Sequence, residues 1–284
     1  MKVKIIGGLG NQMFQYATAY ALSKKIDEEL IVDISDAIKY KVHPLRLTEL
    51  SCSSKFISKS FFYEKYIYNE IDYRIKRVIY PYCYIEKNLM FDSKLFNENI
   101  AKNKKIVGYF QCEKYFKAYR TELLSEFKPK SEYSDYQEHI LREIMKGNSC
   151  SIHIRRGDYV TNSNANNVHG TCNEDYFIKA LNHLSAGRNI NEETTLFVFS
   201  DDIEWCQKNI KWPYKMLFVN GDDVRSELDM WLMSKCEHNI ISNSTFSWWA
   251  AWLNNNHQKV VVAPKVWFKN GMDNEIVPDS WVKL

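Results

Sequence analysis

The chain has 284 residues, of which 45% are hydrophobic and 26% charged, as in an ordinary globular protein. Its net charge of +3 is far too small for a general nucleic-acid-binding surface, and no apolar run reaches membrane-spanning length. Seven cysteines stand singly, without the spacing of a zinc site, which favours reduced thiols in the cytosol. The length allows one large or two medium domains.

The first predicted elements form a strand–loop–helix–strand unit. Residues 3–6 predict a strand, residues 11–26 a helix with one apolar face, and residues 30–33 a second strand. The connecting segment 7–10 contains three glycines and predicts a tight, conformationally permissive loop. This order is typical of the opening of a Rossmann-like domain.

The glycine loop does not match the dinucleotide fingerprint, because Met13 stands where the third glycine would be. A nicotinamide oxidoreductase is therefore disfavoured. We expect the loop to approach a hydroxyl-rich ligand, with Asn11 and Gln12 as neutral hydrogen-bonding groups. The alternative is a simple tight turn.

Residues 36–125 are rich in Tyr, Phe, Lys and Ile and show no clean alternation. We predict mostly helices there, with one short strand at residues 105–110. Residues 128–136, which contain Pro129, predict a linker.

The second half alternates strands and helices, which predicts a parallel sheet covered on both faces. The chain is therefore expected to be bilobed, with two Rossmann-like halves and a cleft between them. The predicted strands are residues 149–154, 195–200, 216–219, 239–242 and 260–263, and the predicted helices are about 173–186, 203–210, 225–236 and 244–255.

Polar clusters follow three of these strands. Arg155 and Arg156 place two planar cations at a strand end, an arrangement suited to phosphate oxygens. The alternative is a salt-bridged turn in which Asp158 neutralises an arginine. Ser244 and Thr245 open a helix and could hold an anion there, although ordinary N-capping is the simpler interpretation.

Two further groups favour a structural interpretation. The pairs Asp201-Asp202 and Asp222-Asp223 lack the Asp-x-Asp spacing typical of metal-dependent sugar transferases, so we expect no metal site. The tryptophans at 248, 249 and 252 have helical spacing, which favours core packing over a sugar platform.

Four motifs in order resemble the bacterial galactoside α-1,2-fucosyltransferases of glycosyltransferase family 11: GGLGNQMFQYA, HIRRGDY, FVFSDD and NSTFSWWAAWL. Residues 36–125 carry little of the resemblance. It implies an α/β, GT-B-like fold, with two Rossmann-like domains facing a cleft: an acceptor-side domain at 1–130 and a GDP-fucose-binding domain at 131–284. It also implies a metal-independent, cofactor-free enzyme that transfers L-fucose from GDP-β-L-fucose to the 2-hydroxyl of a terminal galactose with inversion.

The resemblance also implies roles for individual residues. Arg155 would contact the diphosphate and assist its departure, as the catalytic residue. The donor-binding residues would be His153 and Asp229 at the guanine, Arg156 and Asp158 shaping the turn, and Ser244, Thr245 and Phe246 at phosphate and nucleoside; Asn11 with Gly8 and Gly10 would border fucose and acceptor.

Some alternatives remain open at this point. The same fold could serve another linkage or acceptor, and a non-catalytic GDP-sugar-binding protein is disfavoured by the presence of Arg155. The general base is unresolved, with Asp33, Asp36 and His43 as candidates. We expect a galactose-terminated, in some settings lipid-linked, oligosaccharide partner and no nucleic acid. Lys-rich aromatic stretches at 55–88 and 102–120 suit a cytosolic protein in peripheral contact with the inner membrane.

Overall fold

A computed structural model describes residues 1–40, 42–59, 75, 78, 83–96, 105–157, 171–222 and 224–284. They form two compact units, Met1–Lys128 with Asp273–Pro278, and Pro129–Met272 with Asp279–Leu284. The predictions for Asp158, Asp223 and the Asn-rich segment 162–167 lie outside the described residues.

The first unit contains a five-stranded parallel sheet with the order β3-β2-β1-β5-β4. The chain thus places β2 and β3 on one side of β1, and β5 and β4 on the other. Open parallel sheets bind ligands outside the carboxyl ends of their strands, and the ends of β1 and β5 lie side by side here. The elements are β1 Lys2–Lys4, α1 Leu9–Lys25, β2 Ile31–Asp33, β3 Lys55–Ile57, β4 Cys83–Ile85, β5 Lys105–Val107 and α2 Arg120–Glu126, with 3₁₀ turns at Ala37–Lys39, Leu47–Glu49, Ser93–Phe96, Glu113–Tyr115 and Lys117–Tyr119.

In the part of residues 36–125 that the structure describes, the strand predicted at 105–110 is confirmed as β5, but two further strands were not predicted. Three strands occur there rather than one, because β3, β4 and β5 each have only three residues and are too short to show alternation. The helix α1 also begins two residues earlier than predicted. Gly10 therefore lies within its first turn and is buried, while only Gly7 and Gly8 form the loop.

The second unit contains a six-stranded parallel sheet with the order β11-β10-β9-β6-β7-β8. The fully buried β6 lies at its centre, and the chain moves outward from it in both directions. The crevice of this sheet is therefore at the carboxyl ends of β6 and β9. The elements are α3 Asp135–Ile144, β6 Ser149–Ile154, α4 Glu174–Ala186, β7 Thr195–Ser200, α5 Ile203–Asn209, β8 Lys215–Val219, α6 Ser226–Met233, β9 His238–Ile240, α7 Thr245–Leu253, β10 Val261–Ala263 and β11 Val282–Lys283.

Two details of the second unit differ from the prediction. Residues 260–263 do not form the last strand, since β11 adds a further edge strand. The helix α3 begins inside the predicted linker, where Ser134 and Gln137 form a reciprocal capping box. The predicted α/β class with two parallel sheets is confirmed, and so is the core position of the three tryptophans, which are at most 4% exposed.

Candidate functional site

The turn after β6 is tied across the crevice of the second sheet by one buried hydroxyl. Ser242, which follows β9, accepts a hydrogen bond from the backbone N–H of Arg155 (3.1 Å) and donates one to the carbonyl of His153. These bonds fix the two strand ends relative to each other at the place where a ligand is expected. The sequence analysis did not single out Ser242, because a serine at a strand end carries no distinctive signal.

Asp201, at the end of β7, holds the same turn from the other side. One of its carboxylate oxygens lies 2.9 Å from the Arg155 guanidinium, and the other accepts the backbone N–H of Arg156 at 2.8 Å. A Cβ on Gly157 would lie 2.4 Å from this carboxylate, so the turn closes around it only because that residue is glycine. Asp201 therefore orients Arg155, whose side chain remains 26% exposed.

The side chain of Arg156 is directed towards helix α5. Its guanidinium carbon lies 3.6 Å from the centre of the Trp205 ring, and its Nε is 3.3 Å from the Asp202 carboxylate. Stacking together with an ion pair fixes a guanidinium in one orientation. This placement agrees with a role for Arg156 in shaping the turn, and the sequence analysis did not foresee its contact with Trp205.

His153 is only 5% exposed, and its ring packs 5.7 Å from that of Phe246. Its Nδ1 is buried and has no hydrogen-bond partner among the described residues. Burial lowers the pKa of His153 to about 4, so the imidazole is neutral at pH 7. A neutral ring with an uncommitted nitrogen, next to an aromatic side chain, suits a planar nitrogenous base.

The start of α7 carries hydroxyl groups that are not used for capping. Ser244 is the N-cap residue, but its side chain makes no capping hydrogen bond. Neither its hydroxyl nor that of Thr245 is hydrogen-bonded within the described residues. Two uncommitted hydroxyls therefore accompany the unsatisfied backbone N–H groups of a helix N-terminus, and together they can bind phosphate oxygens.

Asp229 lies in the first turn of α6, a helix that packs against α7. One carboxylate oxygen accepts the backbone N–H of Asp222 at 2.8 Å, while the other is buried without a partner among the described residues. Burial raises the pKa of Asp229 to about 6, and the negative charge of Asp222 acts in the same direction. The two residues predicted to contact guanine lie on separate elements, His153 in β6 and Asp229 in α6. No hydrogen bond joins them in the described part of the chain.

A pocket of about 340 Å³ adjoins Asp229. It is lined by Asn220-Gly221-Asp222 after β8 and by Ser134, Tyr136 and Gln137 at the start of α3. A Cβ on Gly221 would lie 3.2 Å from the Asp229 carboxylate, which places this wall of the pocket directly against the acid. The volume is in the range of small-ligand sites.

The residues predicted for the acceptor side lie in the first unit. Gly8 is the N-cap residue of α1, and Asn11 accepts a hydrogen bond of 2.7 Å from the Gln111 side chain. Two of the general-base candidates, Asp33 and Asp36, are engaged in ion pairs with Lys2 (3.7 Å) and Lys4 (2.6 Å), respectively. The third candidate lies beside the glycine loop, since a Cβ on Gly8 would be 3.6 Å from the ring of His43.

Comparison with known proteins decides the family. A family model described as glycosyl transferase family 11 matches residues 1–284. The chain belongs to glycosyltransferase family 11. The resemblance inferred from the four motifs is thereby confirmed, and the protein is a glycosyltransferase.

The family 11 chain is similar to several known glycosyltransferases, and its fold is similar to that of a solved structure. It is 35% identical to an alpha-1,2-colitosyltransferase of Escherichia coli, over 99% of this chain and 97% of that protein. It is 26% identical to a bovine galactoside 2-alpha-L-fucosyltransferase, SEC1, over 87% of this chain and 62% of that protein. A mutant of Arabidopsis thaliana FUT1 in complex with GDP has a similar fold, with a TM-score of 0.53, 13% identity, and 92% and 69% of the two chains covered.

Among the helices that the structure describes, none combines the length and the apolar character required to cross a bilayer.

Proposed function

We propose that this glycosyltransferase transfers L-fucose from GDP-β-L-fucose to the 2-hydroxyl of a terminal galactose, with inversion and without a metal ion. The observation that carries the proposal is the arrangement beside β6 and β9. There Arg155 is held by Asp201 and Ser242, and the start of α7 offers two hydroxyl groups that make no hydrogen bond within the described residues. An oriented cation and a helix N-terminus on neighbouring strand ends suit a sugar-nucleotide diphosphate.

The proposed reaction breaks the bond between fucose C1 and the diphosphate oxygen and forms a bond from C1 to the acceptor oxygen. GDP leaves, and the proton of the acceptor hydroxyl is released to solvent. Positive charge develops on the sugar ring and negative charge on the departing diphosphate. Arg155 stabilises the negative charge as it forms, which lowers the barrier more than it strengthens ground-state binding. A fixed protein cation can supply this stabilisation, so we propose that neither a divalent metal nor a cofactor is required.

The nucleoside would be recognised by His153 and Asp229, two side chains whose pKa values are shifted by burial. His153 is neutral and packs beside Phe246, which suits stacking and a hydrogen bond to the base. Asp229 has a buried carboxylate oxygen that accepts no hydrogen bond from the described residues, and a carboxylate suits the ring N–H and amino group of guanine. We propose that the acceptor is a galactose-terminated oligosaccharide, free or lipid-linked, modified in the cytosol or at the inner face of the membrane.

A second candidate is transfer of colitose from its GDP derivative. Colitose is L-fucose without the 3-hydroxyl group, so both donors present the same diphosphate and nucleoside. The observation that favours it is the 35% identity to a protein named as an alpha-1,2-colitosyltransferase. Parallel assays with the two donors would distinguish the candidates through the ratio of their kcat/KM values.

The experiment that tests the proposal is GDP release from GDP-fucose in the presence of EDTA, with and without lactose, followed by NMR of the product. Lactose-dependent release, with the fucose H1 correlated to galactose C2, would support the donor, the linkage and independence from metal. GDP binding with no turnover would require the Galβ1,3-linked disaccharides and GDP-colitose to be tried. Absence of both GDP binding and turnover would refute the proposal.

Binding of GDP is expected to weaken as the pH falls through about 6. Asp229 must be ionised to accept hydrogen bonds from guanine, and burial raises its pKa to about 6. His153, with a pKa near 4, stays neutral in this range. Calorimetric titration from pH 5 to 8 would compare the wild type with Asp229→Asn, because the terminal phosphate of GDP also titrates near pH 6. Identical pH profiles for the two proteins would contradict this role of Asp229.

A further inference from the structure

The first unit has strand ends of its own, distinct from those that carry Arg155 and Ser244 in the second unit. Its strands β1 and β5 are parallel neighbours, so the loops that follow these two strands leave the same edge of the sheet. The loop after β1 leads into Asn11, and the loop after β5 leads through Gly108 to Gln111. Such a position is where open parallel sheets bind small ligands.

The turn at residues 108–111 is held in place by a carboxyl group from the neighbouring strand. Glu86, directly after β4, accepts the backbone N–H groups of Tyr109 (2.7 Å) and Phe110 (2.9 Å). A Cβ on Gly108 would lie 2.4 Å from the Cβ of Glu86, so only glycine allows this approach. Burial raises the pKa of Glu86 to about 7, and hydrogen bonds in such a weakly solvated setting are strong.

The same turn contains a strained backbone. Phe110 has a φ of +53°, in the left-handed region that bulky residues avoid. Strain of this kind persists only where the surroundings impose it, and it is concentrated at ligand-binding and catalytic sites. Here the two hydrogen bonds to Glu86 hold the backbone in this strained conformation. Tyr109 and Gln111 lie on either side of Phe110 and are fixed in orientation with it.

The side chains presented by the turn leave hydrogen-bonding groups for a ligand. Gln111 donates to Asn11 at 2.7 Å, which uses one donor and one acceptor of the two amides. The amide nitrogen of Asn11 and the amide oxygen of Gln111 have no partner within the described residues, and neither atom is fully buried. An adjacent donor and acceptor match neighbouring hydroxyl groups of a sugar, each of which can both donate and accept.

Aromatic groups border the same edge. Tyr109 is 37% exposed, its pKa is raised mainly by burial, and its backbone N–H is hydrogen-bonded to Glu86. Tyr40 in turn lies 6.1 Å from the His43 ring, which adjoins Gly8. Amphipathic rings next to amide groups form a surface suited to the apolar face and polar rim of a pyranose.

Resting on the proposed function, we propose that Tyr109, Gln111 and Asn11 bind the terminal galactoside of the acceptor, and that Glu86 is a positioning residue that acts through the turn at 108–111. Tyr109 provides the surface against which the sugar ring packs, and the amide pair binds its hydroxyl groups. Glu86 does not touch the sugar.

The experiment measures sugar and nucleotide binding separately. Saturation-transfer NMR would use lactose, N-acetyllactosamine and Galβ1,3GlcNAc on the full chain with GDP present, and calorimetry would measure GDP alone. Tyr109→Ala is expected to raise the galactoside Kd about 10-fold or more, by loss of the aromatic surface, with the GDP Kd unchanged. Gln111→Ala is expected to do the same. Tyr119→Ala, a partly exposed tyrosine of the same unit outside this edge, is the matched control.

A second pair of variants tests the positioning role. Glu86→Gln replaces one carboxylate oxygen by an NH₂ group that faces a backbone N–H, which disturbs the turn. The KM for the galactoside is therefore expected to rise, while hydrolysis of GDP-fucose in the absence of galactoside is retained. Glu275→Gln is the control, because Glu275 also accepts a backbone N–H, from Phe91 (2.7 Å). A fall in kcat at unchanged acceptor KM would overturn the positioning role.

The outcomes separate this inference from the proposed function. Failure of the wild type to bind GDP would refute the proposed function. If GDP binds but the wild type binds none of the three galactosides, or if Tyr109→Ala and Gln111→Ala bind them as the wild type does, the acceptor site is overturned while the donor site stands. Melting temperatures of all variants would show whether a loss reflects unfolding, and Tyr109→Phe, which keeps the ring, is expected to retain most of the binding.

Discussion

Replacing Arg155 by alanine is expected to lower kcat by about 100- to 1,000-fold while raising the donor KM much less. Charge on the diphosphate grows as the fucosyl bond breaks, so the guanidinium contributes more to the transition state than to the ground state. Steady-state kinetics with varied GDP-fucose at saturating acceptor would separate the two constants. A rise in KM alone would make Arg155 a plain binding residue.

The large effect expected for Arg155 depends on its being oriented before the donor binds. The ion pair with Asp201 and the backbone bond to Ser242 hold it at the strand end, so little reorganisation is required during the reaction. Arg155→Lys keeps the charge but loses the planar, two-pronged geometry, and should recover only part of kcat. Asp201→Asn should also lower kcat, by less than Arg155→Ala, because the guanidinium remains but is less well oriented.

The neighbouring arginine offers an internal control. Arg156 stacks on Trp205 and pairs with Asp202, so Arg156→Ala should lower the melting temperature and affect kcat less than Arg155→Ala does. Equal losses of kcat in the two variants would mean that the roles assigned to the two arginines are not distinct.

Replacing Asp229 by asparagine is expected to weaken GDP binding by about 100-fold, because a buried site loses charged hydrogen bonds and gains a mismatched donor. The amide oxygen can still accept the backbone N–H of Asp222, which leaves the NH₂ group facing the N–H donors of guanine. Calorimetry with GDP measures the loss. Asp175→Asn is the matched control, since Asp175 is also acidic and in the first turn of a helix but is exposed.

The stability of the Asp229→Asn variant provides an independent test. The pKa of Asp229 is raised to about 6 in the fold, so keeping it ionised at pH 7 costs roughly 3 kcal/mol of folding free energy. This cost is absent below the unfolded pKa and is fully present above pH 6. The variant should therefore be as stable as the wild type at pH 7, or more stable, while binding GDP less tightly. Loss of both stability and binding would assign Asp229 a structural role.

The sequence predicted the second unit better than the first. Its strands β6 and β7 have six residues each and are separated by long helices, so the alternation is visible in the pattern. In the first unit, β3, β4 and β5 have three residues each, and their pairing with distant strands rather than any local pattern makes them strands.

Only some residues of the candidate site could be recognised from the sequence. The motif around Arg155 and the helix start at Ser244 stand out because their residue types suit phosphate chemistry at strand ends. Ser242 and Trp205 do not stand out, because a serine and a tryptophan are ordinary residues until their contacts with the Arg155-Arg156 turn are known.

The amino-acid sequence by itself determined the α/β class, the order of the four motifs and the residues that follow the predicted strands, since these depend on local pattern and residue chemistry. Only the tertiary structure decided which strand ends lie side by side. Asn11 and Gln111 meet because β5 pairs with β1, and His153 and Ser242 meet because β6 pairs with β9. Strand order is set by burial and hydrogen bonding between segments about 90 to 100 residues apart, which local patterns do not encode.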